Sequence, residues 1–186
     1  MQIPHAHPSD PPLWHFSLRF YAQPGIATAC LALQNDCDAD VNLLLCALWL
    51  GSIGRMVSID QLQTLDQGVA RWRCAAVRPL RAIRSALRDE KPLADQAGID
   101  RLRDQIKALE LQAEKLQQFE LARLVQALEA APGAVPAINA SASNAPMKAA
   151  ETNLDVYQTM LGCEFPSSLR QILLAGLADV LASPSP

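Results

Sequence analysis

The sequence predicts an all-α fold, a helical bundle with one long helix, from three observations. Apolar residues recur at spacings of three and four in one segment after another. No segment alternates apolar and polar residues as a half-buried strand would. The stretch from about 94 to 130 carries Ile99, Leu102, Ile106, Leu109, Ala113 and Leu116 at alternating spacings of three and four, a coiled-coil-like seam. At 186 residues and 50% hydrophobic content the chain can bury one sizeable core, and with 5% aromatics that core is mainly aliphatic.

The elements follow in order. Residues 1–12 are proline-rich and predict a disordered tail. Leu13 to Ala22 places Leu13, Phe16 and Phe20 on one helical face. Pro24-Gly25 breaks it, and Pro24 can open the next helix, which carries Ile26, Cys30 and Leu33. Asp38 or Asp40 can cap the helix beginning VNLLLCALWL, which is apolar nearly all round and therefore central. Its apolar run, Val41 to Leu50, is half the roughly twenty residues that a membrane span needs. Ser58 or Asp60 then opens a helix with Leu62, Leu65, Val69 and Trp72 on one side, which Pro79 should kink or break. After Leu116, still within the long helix, the apolar stripe shifts to Leu121, Leu124, Val125 and Leu128. Residues 131–149 read as a flexible linker. Short helices near 151–161 and 166–181 complete a C-terminal segment, 150–181, expected to pack on the helical domain of residues 13–130.

The distinctive feature is Arg71 to Arg88, which holds six arginines and no acid in a chain of net charge −3. In α-helical projection Val69, Trp72, Ala76, Leu80, Ile83 and Leu87 share a core sector of about 80°, and Arg73, Arg81, Arg84 and Arg88 share a neighbouring sector of about 60°. Those four arginines are the candidate anion or partner site. Against this stands internal pairing, with Asp100, Asp104, Glu110 and Glu114 of the long helix as partners. Exposed charge runs are usually solvated or paired, so the balance favours pairing. Asp40, Asn42 and Trp72 are candidates for the polar lining of a pocket beside Arg73 and Arg81.

Other chemistry is thinly represented. Five cysteines, odd in number and without a C-x-x-C, suit reduced thiols in a cytosol. Cys46 and Cys74 read as core residues. His5 and His7 lack further metal ligands, His15 lacks a catalytic partner, and Asp36, Asp38 and Asp40 lack the glycine and spacing of a calcium loop. Glu110 and Glu114 share a face without the histidine of a diiron motif. Phosphate-loop, nucleophile-elbow, dinucleotide and zinc-protease signatures are absent, so no metal and no cofactor is expected. The acidic balance and a single interleaved aromatic disfavour nucleic acid. No signal peptide is evident at the N-terminus.

Four segments together resemble one family: LWHFSLRFYAQPGIATACLALQ, DADVNLLLCALWLG, the W-R-x-x-x-x-R-P-L-R pattern from Trp72, and KALELQAE in the long helix. They are similar to the domain of unknown function 2390 family over roughly residues 13–130, with a fainter echo in NLDVYQTML. The resemblance implies a bacterial cytoplasmic protein and carries over no activity, cofactor or catalytic residue. The functional expectation is a non-enzymatic binding or regulatory module. Its partner, another protein or a second copy, would contact the arginine face or the long-helix seam. The alternative is a binding protein or enzyme for an anionic small molecule, with a pocket inside the bundle.

Overall fold

The computed structural model describes residues 7–89, 95–130 and 145–183. Its elements are α1 (Pro12–Tyr21), α2 (Ile26–Cys37), α3 (Val41–Ser52), α4 (Ile59–Trp72), a π-helical turn (Arg73–Val77), α5 (Arg78–Asp89), α6 (Gln96–Ala130), α7 (Ala145–Leu161) and α8 (Ser167–Ala182). The described residues contain no strand, so the protein is an all-α bundle with one long helix. None of the described helices is long and apolar enough to cross a membrane.

Helix α3 is the centre. Val41 to Leu48 are all buried, with Leu50 and Gly51 after them, as a helix apolar on every side requires. Helix α7 lies along it, and α1, α2, α4, α6 and α8 also touch it. The approach to α7 is close: a Cβ on Gly51 would fall 2.4 Å from the Ala150 Cα. Asn153 of α7 is fully buried and spans the junction. Its amide donates to the Ala47 and Arg55 carbonyls, and its oxygen accepts from the Val57 N–H. Arg19 of α1 closes the far side by donating to the Val180 and Ser183 carbonyls at the end of α8.

Local chemistry sets the helix ends. Pro12 sits in the first turn of α1. Gly25, at φ 80°, rather than Pro24, leads directly into α2; a side chain there would be strained. Of the two possible aspartates Asp40 caps α3. Ser58 caps α4 and exchanges hydrogen bonds with Gln61.

Several expectations are corrected. Pro79 does not break its helix. The chain stays helical by widening one turn just before it, with the Arg78 N–H bonded to the Arg73 carbonyl. A π turn holds more residues than an α turn and rotates everything beyond it. Beyond the turn the projected core stripe is therefore lost: Val77 is buried and Ile83 is exposed. Trp72, ahead of the turn, is also exposed although Val69 before it is buried. Cys37 and Cys163 form a disulfide, with Cα atoms 5.7 Å apart across 126 residues of sequence. Short-range spacing could not reveal it. Cys30 and Cys46 are buried, but Cys74 is exposed rather than a core residue. Residues 145–149, read as linker, form the first turn and more of α7, with Ala149 buried; the rest of that segment lies outside the described residues. In the expected tail, residues 1–6 lie outside the described residues, and Asp10 is tied to Lys115 Nζ at 2.9 Å.

Beyond the core, α5 and the first half of α6 form an antiparallel two-helix arm. α5 packs on α6 and on the π turn. Ile99 and Ile106 are buried in this arm but stand outside the main core cluster.

The Gly51 contact makes a prediction. Gly51→Ala must push α7 off α3, because the obstructing atoms include backbone. Overpacking of this kind costs about 2 kcal/mol, which for a chain of this length lowers Tm by about 6 °C in thermal unfolding.

Candidate functional site

Two polar clusters occupy the positions that the sequence singled out. The first centres on Asp40. One carboxylate oxygen accepts from the Asn42 and Leu43 N–H groups at 2.8 and 3.3 Å, capping α3. The other accepts from Arg73 Nη1 at 2.7 Å and Gln117 Nε2 at 2.6 Å. The Asp40 carbonyl accepts from the Tyr157 hydroxyl at 3.0 Å. Arg73 also donates to Asp66 at 2.6 Å. Asn42 is buried beside them, donating to Gln117 and accepting from Gln118. Burial works against the Arg73 charge, but the hydrogen bonds to Asp66 and Asp40 outweigh it and raise the guanidinium pKa. Burial pushes the Tyr157 phenol well above its ordinary value.

The second cluster joins the two helices of the arm. Arg84 grips Glu110 with two donors, Nε and Nη2. Arg81 Nε donates to Glu110 at 3.0 Å and its Nη2 to Glu114 at 2.7 Å. Forked arginine–carboxylate contacts of this kind are among the stronger hydrogen bonds. Burial penalises the Glu110 carboxylate, yet the bonds from Arg84 and Arg81 prevail and hold its pKa below 4.5. Burial raises the pKa of Glu114.

The four candidate arginines thus do not converge on one anion. The π turn sends Arg73 toward α3 while Arg81 and Arg84 face α6. Arg88, exposed toward the end of α5, also carries an interaction and is not a free cation. Arg78, outside the projected face, holds Asp38 through both carboxylate oxygens at 2.9 and 2.8 Å. Of the acids expected as partners Glu110 and Glu114 serve, whereas Asp100 takes a hydrogen bond from Gln96. Asp66 was missed, although it precedes Arg73 by seven residues and shares its side of the helix.

Asp40 and Arg73 do line a cleft, of about 400 Å³, with Asp38, Asp66, Gln63, Gln67, Arg78, Tyr157, Met160 and Leu161. Asn42, Trp72 and Arg81 are not part of its wall. The Trp72 indole instead donates to the Ala113 carbonyl of α6 at 2.9 Å. The cleft's two arginines are bonded to its three aspartates, so it presents no spare positive charge. Burial pushes the Cys30 and Cys46 thiols up to about 11 and about 12, which keeps them un-ionised and unreactive. The described residues hold no group of three or more histidine, cysteine or acidic side chains able to bind a metal ion.

A family profile described as "Protein of unknown function (DUF2390)" matches residues 12–121. The chain belongs to this family. The matched part of this DUF2390 protein includes Asp40, Asp66, Arg73, Arg81, Arg84, Glu110, Glu114 and Gln117, and stops short of Tyr157. No curated protein and no solved structure matches the chain.

The ion pairs of the arm predict an acid-labile element. Because the folded pKa of Glu110 is depressed, its contribution is complete above about 4.5 and is lost as pH falls through the lower folded value. Glu114, with its raised pKa, acts in the opposite sense and cannot be the source. Amide exchange in α5 and the first half of α6 should accelerate on acidification below pH 4.5. Glu110→Gln should remove that dependence and destabilise the neutral protein by about 2–3 kcal/mol.

Proposed function

We propose that this protein is a non-enzymatic helical binding module that receives a protein partner on the α5–α6 arm. One observation carries the reading. Leu102, Leu109 and Leu116 of α6 are 47%, 50% and 54% exposed, while Ile99, Ile106 and Ala113, three residues before each, are buried against the rest of the protein. The seam predicted for α6 is real in spacing, but only half of it is covered. Residues seven apart drift by only about 20° around a helix, so the three leucines form one ridge.

The ridge has a neighbour. Trp72, 40% exposed, reaches the Ala113 carbonyl between the positions of Leu109 and Leu116. Exposed apolar side chains gathered on one ridge mark an interaction site more often than chance exposure does. The arginine face is a poorer docking surface, since Arg73, Arg78, Arg81 and Arg84 already hold acids.

The cleft beside Asp40 supports a second reading, a small polar ligand. With three aspartates against two arginines its wall carries a surplus acid, which favours an uncharged or cationic compound over the anion first expected. Cytoplasmic location belongs to the proposal as well, and it bears on the cysteines: in a reducing compartment Cys37 and Cys163 would be thiols.

Two measurements follow. A photo-crosslinking residue in place of Leu109, used in the native host, should yield protein adducts, and the same residue in place of the outward-facing Asp104 should not. Absence of adducts at Leu109 would sink the reading. Rapid alkylation of intact cells tests the location: a Cys37–Cys163 pair that stays oxidised there, as it is in the structure, overturns the cytoplasmic assignment.

A further inference from the structure

We infer that the occupant of the leucine ridge is a second copy of this chain, its α6 running antiparallel across a two-fold axis at Leu109. The inference rests on the reading of the ridge as a docking surface and goes further by naming what docks. A two-fold interface must be complementary to itself, each residue meeting the one that it is related to by the axis. The ridge satisfies this. Leu102 and Leu116 each lie seven residues from Leu109, about 10.5 Å along the helix. Antiparallel pairing therefore sets Leu109 on Leu109 and Leu102 on Leu116, giving three matched apolar rungs.

The charges agree with that register. Along the outer edge of the ridge, Gln105 and Gln112 fall opposite each other, so the centre brings no like charges together. Lys115, the cation nearest Leu116, is drawn away by Asp10 at 2.9 Å and lies over the Trp14 and Phe119 rings. Farther out, Asp95 and Arg123 each stand fourteen residues from Leu109 and face one another. Asp95 is paired with Arg101 within the chain, and Arg123 with Glu120. Each end of the interface thus joins two acids to two arginines.

Size is sufficient. From Asp95 to Arg123 the helix runs about 42 Å and is about 10 Å wide. With Trp72 alongside, two copies bury roughly 1,000 Å², the size that a specific interface has to reach.

The test uses the purified full-length chain with Cys74→Ser, which removes the exposed native thiol. Sedimentation equilibrium should give twice the monomer mass at micromolar concentration. Leu109→Glu, which places two carboxylates on the axis, should return the monomer with its circular dichroism unchanged, because Leu109 is half exposed in the single chain. Leu109→Cys should form a covalent dimer on mild oxidation, and Asp104→Cys, on the opposite face, should not. Equal crosslinking at both positions, or a dimer untouched by Leu109→Glu, overturns the inference. So does a wild-type monomer at every concentration. If that monomer accompanies capture of a different protein at Leu109 in cells, the self-pairing fails and the docking surface stands. If it accompanies no capture, both fail.

Discussion

The fold hangs on the satisfaction of one buried helix terminus. Helix α3 is apolar on all sides and can sit only in the centre, so its first N–H groups open into the protein rather than into water. Asp40 answers them, and a carboxylate placed there needs its own compensation. Arg73 and Gln117 supply it on the side chain, and Tyr157 binds the carbonyl. One residue thereby fixes α3 relative to the π turn, α6 and α7. Arg73 reaches this place from a widened turn, so the irregularity before Pro79 and the cap of α3 are parts of one arrangement.

The arm is built on another principle. Its two helices meet through Arg81, Arg84, Glu110 and Glu114 as well as through Val77, Ile99 and Ile106. Ion pairs of this kind set alignment more than they add stability. Such a seam specifies which residues of α5 face which residues of α6 while leaving apolar side chains on its flank. The core and the arm thus divide the work: the core supplies stability, and the arm presents a shaped surface.

The helical class, the central place of α3, the caps of α3 and α4 to within two residues each and the extent of α6 were all legible from periodicity and capping chemistry, because those signals are local. The pairing of Arg81 with Glu114 was legible as a possibility, since both lie on helical faces of known phase. Three features were not. The π turn adds a phase shift that no α-projection contains, so Ile83 was assigned to the core and Arg73 was grouped with Arg81. Cys37 and Cys163 meet only after α2 and the end of α7 are brought together by the whole fold. The exposure of Leu102, Leu109 and Leu116 depends on what packs against α6, whereas spacing reports only that the residues share a side.

The disulfide has a consequence for the chain before it folds. Closing a loop of 126 residues joins the segment after α2 to the segment after α7 and encloses α3, α4, the arm and α7 in one covalent ring. The unfolded ring has far fewer configurations than the open chain, a difference of about 5 kcal/mol by loop-closure entropy. Helices α3 and α7, whose close contact at Gly51 and Ala150 has the least tolerance for error, are then never far apart. In oxidised form the protein begins its search for the native state as a closed polymer, with the pairing of α3 and α7 already confined.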